Sequence, residues 1–97
     1  MSDLHVVATI PAKPGSEDTV REGLSSLAAE SRKEEGCVSY ELFESAAQPG
    51  TFVTVEVWAN QEAVDAHMTS PHFQSAVAVF GEHLAGAPAI HPLKPVS

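Results

Sequence analysis

The chain has a single cysteine, Cys37, so no disulfide can form within it, and a reducing compartment suits it. Cations are scarce: five Lys+Arg stand against thirteen Asp+Glu, for a net charge of −8. Nucleic-acid binding by counterion release needs clustered cations, as does an anionic membrane surface, and both partner classes are excluded. The same shortage leaves little to hold a multiply phosphorylated substrate. No apolar run approaches the ~20 residues that span a bilayer. No basic region followed by an apolar core opens the chain, so a cytoplasmic location is expected. Glycine-rich phosphate loops, G-x-G-x-x-G and the nucleophile elbow are all missing. Repeats, linkers and low-complexity tracts are missing too. At 97 residues the expectation is one domain, 1–97, with a modest core that gains stability from a partner.

What is there reads as alternating strands and helices. Leu4 to Ile10 is β-branched and apolar on both faces, the pattern of a central strand. Pro11 to Gly15 is a loop, and Ser16 is placed to cap a helix with Glu17 and Asp18 in its first turn. Val20, Leu24, Leu27 and Ala28 form its inward stripe; Arg21, Glu22, Glu30, Arg32, Lys33 and Glu34 form its solvated face, and Gly36 stops it. Cys37 to Ser45 is a second strand, with Val38, Tyr40 and Leu42 on one face and Phe43 on the other. Pro49-Gly50 fits a type II turn before the third strand, Thr51 to Trp58.

The unusual side chains concentrate between Glu56 and Phe73. Asn60 is an N-cap, and Ala63, Val64, His67 and Met68 recur at helical spacing, which turns His67 inward. Ser70-Pro71 starts a second helix whose stripe is Phe73, Ala76, Val77, Phe80 and Leu84. Ala89 to Leu93 is a last edge strand, limited by Pro92 and Pro95. The order β-α-β-β-α-β predicts an α+β, ferredoxin-like subunit with a four-stranded antiparallel sheet and helices on one face. The other face also carries apolar residues, which predicts a sheet-to-sheet homodimer.

His67 reads either as a core histidine with one hydrogen bond or as a proton acceptor in a cleft. A neutral imidazole can take a proton from an acidic carbon or a phenol. Trp58, Phe73 and Phe80 offer flat apolar walls, Tyr40 a phenol, and Glu56 a carboxyl on the same strand face as Trp58. Cys37 follows a helix-ending glycine, where no helix N-terminus activates it. His67 and His72 are five residues apart across a helix break, which is not a recurring ligand spacing, so no metal is expected.

Gly36-Cys37-x-x-Tyr40, Glu56-x-Trp58 and Ala66-His67-x-x-Ser70-Pro71-His72-Phe73, in this order and spacing, resemble the antibiotic biosynthesis monooxygenase family of dimeric α+β barrels. The resemblance covers nearly the whole chain. It implies subunits paired through their sheets that oxygenate quinols, anthrones or related aromatic polyketides with molecular oxygen and no cofactor, the deprotonated substrate supplying the electrons. Carried over, it implies His67 as base or hydrogen-bond partner, Trp58 and Tyr40 as ring-orienting residues, Glu56 as the group that sets a tautomer, and His72 at the helix corner. The heme-degrading branch has its iron-ligating histidine where this chain has Val77, and a tryptophan where it has His67, so heme degradation does not fit. Two alternatives remain from the sequence: an isomerase of a phosphorylated dione, and a non-catalytic dimeric protein that binds an apolar metabolite.

Overall fold

The computed structural model describes residues 3–97. Its elements run β1 (Leu4–Pro11), α1 (Glu17–Ser31), β2 (Cys37–Glu44), β3 (Thr51–Trp58), α2 (Gln61–Met68), α3 (Pro71–Phe80), a 3-10 turn over Gly81–His83, and β4 (Ala89–Leu93). The sheet is antiparallel throughout, in the order β2-β3-β1-β4, which is the ferredoxin-like arrangement.

Period-two alternation decides which residues meet the helices. Val6, Ala8 and Ile10 of β1 and Phe52, Thr54, Glu56 and Trp58 of β3 are buried on the helix-covered face. Their core neighbours fall into two groups. Val20, Leu24, Leu27, Ala76 and Phe80 join Ala8, Ile10 and Phe52. Ala28, Tyr40 and Trp58 join Val6. On the opposite face Val7 pairs with Val55, and Val53 with both Thr9 and Phe43. No helix covers that side, and Phe43 is 55% exposed.

Three local expectations change. Ser16 precedes α1 but makes no side-chain cap; its hydroxyl bonds Nδ1 of His83 at 3.1 Å instead, fastening the 3-10 turn to the start of α1. A register shift between Cys37 and Ser39 takes Val38 out of the Tyr40–Leu42 row and leaves it exposed. Most consequential, α1 ends at Ser31, and Arg32 to Gly36 form a turn rather than its last coil. Glu34 is therefore freed from the helix surface. The Pro49-Gly50 turn is as expected: Gly50 has φ 94°, and the amide of Thr51 bonds the carbonyl of Gln48 at 3.0 Å.

Candidate active site

The corner between α2 and α3 aims His67. Asn60 caps α2 by accepting from the amide of Ala63 at 2.9 Å. Ser70 caps α3 through the amide of Phe73 and donates its hydroxyl to the His67 carbonyl at 2.7 Å. His67 thus sits in the last turn of a helix pinned at both ends, with its ring 3% exposed and stacked on Trp58 at a centroid distance of 4.6 Å. Phe73 meets the ring edge-on at 5.2 Å, and Tyr40 lies 5.7 Å away.

Glu34, assigned from the sequence to the solvated face of α1, is instead the partner of this histidine. One oxygen, Oε2, accepts from Nδ1 of His67 and from Nε2 of His72, each at 2.7 Å. The turn after α1 makes this reach. Gly36 makes it tight: a Cβ there would stand 2.3 Å from the Cβ of Ala63, so only glycine lets α2 close onto the turn. The carbonyl of Gly36 also accepts from the amide of Ala59 at 2.8 Å. Since a carboxylate accepts and does not donate, Nδ1 of His67 carries a proton, and in the neutral ring the lone pair is then on Nε2. Nε2 has no hydrogen-bond partner in the chain, yet no buried side-chain nitrogen or oxygen among the described residues is orphaned. Nε2 therefore retains accessible surface, and His67 is one of the residues that line a cavity.

That cavity, about 620 Å³, opens between the sheet and the helices. Of the residues expected at a site, Tyr40, Glu56, His67, Phe73 and Phe80 line it. Trp58 and His72 are not among its lining residues: Trp58 is fully buried behind His67, and His72 lines the crevice between α3 and α1. Glu56 is buried with both oxygens occupied, Oε2 by the Thr54 hydroxyl at 2.6 Å and Oε1 by the Trp58 indole N–H at 3.0 Å. It does not set the tautomer of His67; Glu34 does. Burial, and then the charge of Glu56, push the Tyr40 hydroxyl well above the ordinary tyrosine range, so it stays a neutral phenol. Burial likewise raises the Cys37 thiol, with the charges of Glu34 and Glu56 adding to it, which fits an unreactive cysteine. Thr54 and Gln61 also reach the cavity, and neither stood out in the sequence. No lysine or arginine lines it.

Residues 3–79 match the family model described as antibiotic biosynthesis monooxygenase. The chain belongs to this family. Among its relatives, "Putative monooxygenase YcnE" of Bacillus subtilis (strain 168) is 38% identical over 81 residues, 84% of each chain. "Putative monooxygenase Rv0793" of Mycobacterium tuberculosis is 34% identical over 95 residues, 98% of this chain and 93% of its own. The solved structure of Rv0793 superposes with a TM-score of 0.90 at 33% identity, covering 99% of this chain and 97% of that one. That of PA3566 from Pseudomonas aeruginosa gives 0.90 at 29% identity, covering 100% and 97%. The family fold is the one described above, and monooxygenase is the activity its name carries.

Proposed function

We propose that the protein oxygenates a small, uncharged aromatic substrate (a quinol or an anthrone) with molecular oxygen, and that His67 is the base. The observation that supports this most directly is the ring of His67: Nδ1–H is held by Glu34, and the bare Nε2 opens on an apolar cavity. In this reading Nε2 takes a proton from a hydroxyl or an acidic ring carbon of the substrate. The imidazolium so formed lies between the carboxylate of Glu34 and the new substrate anion, which it neutralises. The electron-rich anion reduces oxygen and bonds to it, giving a ring-carbon peroxide that recovers the proton from His67. Loss of water then leaves a carbonyl. One oxygen atom stays in the product and the other leaves as water; all four electrons come from the substrate, and no external reductant is consumed. Tyr40, held neutral, donates a hydrogen bond to a substrate oxygen, and Phe73 and Phe80 face the ring.

The absence of lysine and arginine from the lining speaks against a phosphorylated dione, whose phosphate would meet Glu56 and no cation. A homodimer closing over the exposed sheet face is part of the same proposal, supported by the apolar row of Val7, Val53, Val55 and Phe43; sedimentation as a monomer at micromolar concentration would remove it. The chemistry is tested by following oxygen uptake with 1,4-dihydroxynaphthalene against its autoxidation rate. Uptake of one oxygen per substrate is expected, and its loss in His67→Asn, whose amide can still donate to Glu34. Uptake no faster than autoxidation, with tight binding of the quinol, leaves a binding protein; uptake unchanged in His67→Asn removes the histidine from the reaction.

A further inference from the structure

The histidines that the sequence spacing sets apart acquire a third donor in the folded chain. Oε2 of Glu34, Nδ1 of His67 and Nε2 of His72 all lie within 4.8 Å of one another. Each nitrogen is 2.7 Å from the same carboxylate oxygen. Two imidazoles and one carboxylate form a donor set that borderline divalent ions accept, zinc among them. Bonds of about 2.0–2.2 Å around a tetrahedral ion hold its donors roughly 3.3 Å apart, so each nitrogen needs to draw back from the carboxylate oxygen by only about half an ångström, while the two nitrogens, within 4.8 Å of each other, settle at a similar separation. Burial is graded: the side chains of His67, Glu34 and His72 are 4%, 15% and 24% exposed. The inner donor is thus sealed, while the outer two leave a way in from solvent and room for water as a fourth ligand.

We propose that Glu34, His67 and His72 form a zinc site that shuts off the base. The ion lies on the Nδ1 side of His67, and Glu34 and His72 are not among the cavity-lining residues, so a bound metal cannot meet the substrate. Coordination at Nδ1 moves the ring proton to Nε2. The lone pair that faces the cavity becomes an N–H donor, and His67 can no longer accept a proton. Metal and base chemistry exclude each other at one imidazole. Binding itself is independent of the oxygenase proposal; only the inhibition rests on it.

The test titrates the metal-free full chain with zinc chloride by calorimetry, and with cobalt(II) chloride by its visible ligand-field bands. One ion per chain is expected, with affinity at least tenfold weaker in Glu34→Gln and in His72→Phe, and unchanged in His91→Ala and Cys37→Ser. Circular dichroism checks that each variant is folded, and His72→Gln replaces His72→Phe if that one is not. Absence of stoichiometric binding overturns the site. So does binding that survives Glu34→Gln and His72→Phe, or that disappears in His91→Ala or Cys37→Ser, since the ion then sits elsewhere. Zinc bound with these dependences to a protein that takes up no oxygen even when metal-free sustains the site and ends the oxygenase proposal.

Discussion

Replacing Glu34 by glutamine separates the chemical role of this carboxylate from its structural one. The side chain keeps its length and one carbonyl oxygen, whose two lone pairs can still accept from both His67 and His72, as Oε2 does now. The charge is lost. In the resting protein that weakens two hydrogen bonds of 2.7 Å without removing either. Charge-assisted bonds contribute about 1.5–3 kcal/mol and neutral ones about half of that. A loss of roughly 1.5–3 kcal/mol in stability is expected, at ~4–8 °C in Tm per kcal/mol for a domain of this size. In the proposed turnover His67 becomes an imidazolium, and the full charge-assisted difference then falls on the reacting state. At about 1.4 kcal/mol per decade, kcat falls roughly 10- to 100-fold. KM should hardly move, because Glu34 does not line the cavity. Glu34→Asp, which restores the charge on a shorter stem, should recover part of kcat.

Initial rates of oxygen uptake measured well below the variant's Tm keep unfolding out of the comparison. A scaffold-only Glu34 predicts a lower Tm with kcat within twofold of wild type, and that result would refute the orienting role. A rise in KM with kcat unchanged would refute it differently, by placing the residue in ground-state binding.

Two further outcomes follow from packing and ionisation. Gly36→Ala puts a methyl group 2.3 Å from the Cβ of Ala63 and 3.4 Å from its Cα, so α2 must retreat from the turn; thermal unfolding should fall by the equivalent of about 1–3 kcal/mol, with recovery in Gly36→Ala/Ala63→Gly, and an unchanged Tm would mean that the turn is not held by this contact. The raised ionisation of buried Tyr40 has a definite sign: an unfolded tyrosine loses its proton near pH 10 while the folded one keeps it, so stability falls as pH climbs above about 10, by up to ~1.4 kcal/mol per pH unit. Tyr40→Phe should flatten that alkaline slope in denaturant titrations between pH 9 and 11; an unaltered slope would assign it to other groups.

Strand order, the helix break at Ser70-Pro71 and the burial of His67 were all legible in the sequence, because each rests on a local pattern. Alternation in β3, capping at Asn60 and Ser70, and the 3.6-residue recurrence through His67 depend on residues a few positions apart. Glu34 was illegible for the opposite reason. It follows a clean amphipathic helix in the run Ser31-Arg-Lys-Glu-Glu, where continuing the helix satisfies every local rule and turns the charges to water. The helix stops early because of contacts distant in sequence: α2 closing over Gly36, and two histidines more than thirty residues away. The nearest local signal was Gly36 itself, which was read as a helix stop when its function is close approach. The same limit governed the cluster of Glu34, His67 and His72, since spacing along one segment cannot show a side chain supplied by another. Ser16 taught a related lesson: a residue of capping type at a capping position still chose His83.

Placing Glu34 behind the imidazole, outside the cavity, resolves a difficulty that the charge balance creates. A chain with a net charge of −8 and no cation lining its pocket is a poor host for a substrate anion. Glu56 worsens this, buried at the wall with both oxygens occupied by Thr54 and Trp58. A base at Glu56 would leave its proton on a neutral acid and the substrate's charge uncompensated. A base at His67 becomes cationic as the substrate becomes anionic, so the pocket holds an ion pair only after proton transfer and no mobile charge before it. Glu34 then acts on the far side of the ring, where it holds Nδ1–H without facing the substrate. Exchanging the two carboxylates would reverse this: the charge that supports His67⁺ would confront the anion directly. Their separation, one behind the proposed base and one sealed into the wall, is what would let an acidic protein run the proposed carbanion chemistry in an apolar cavity.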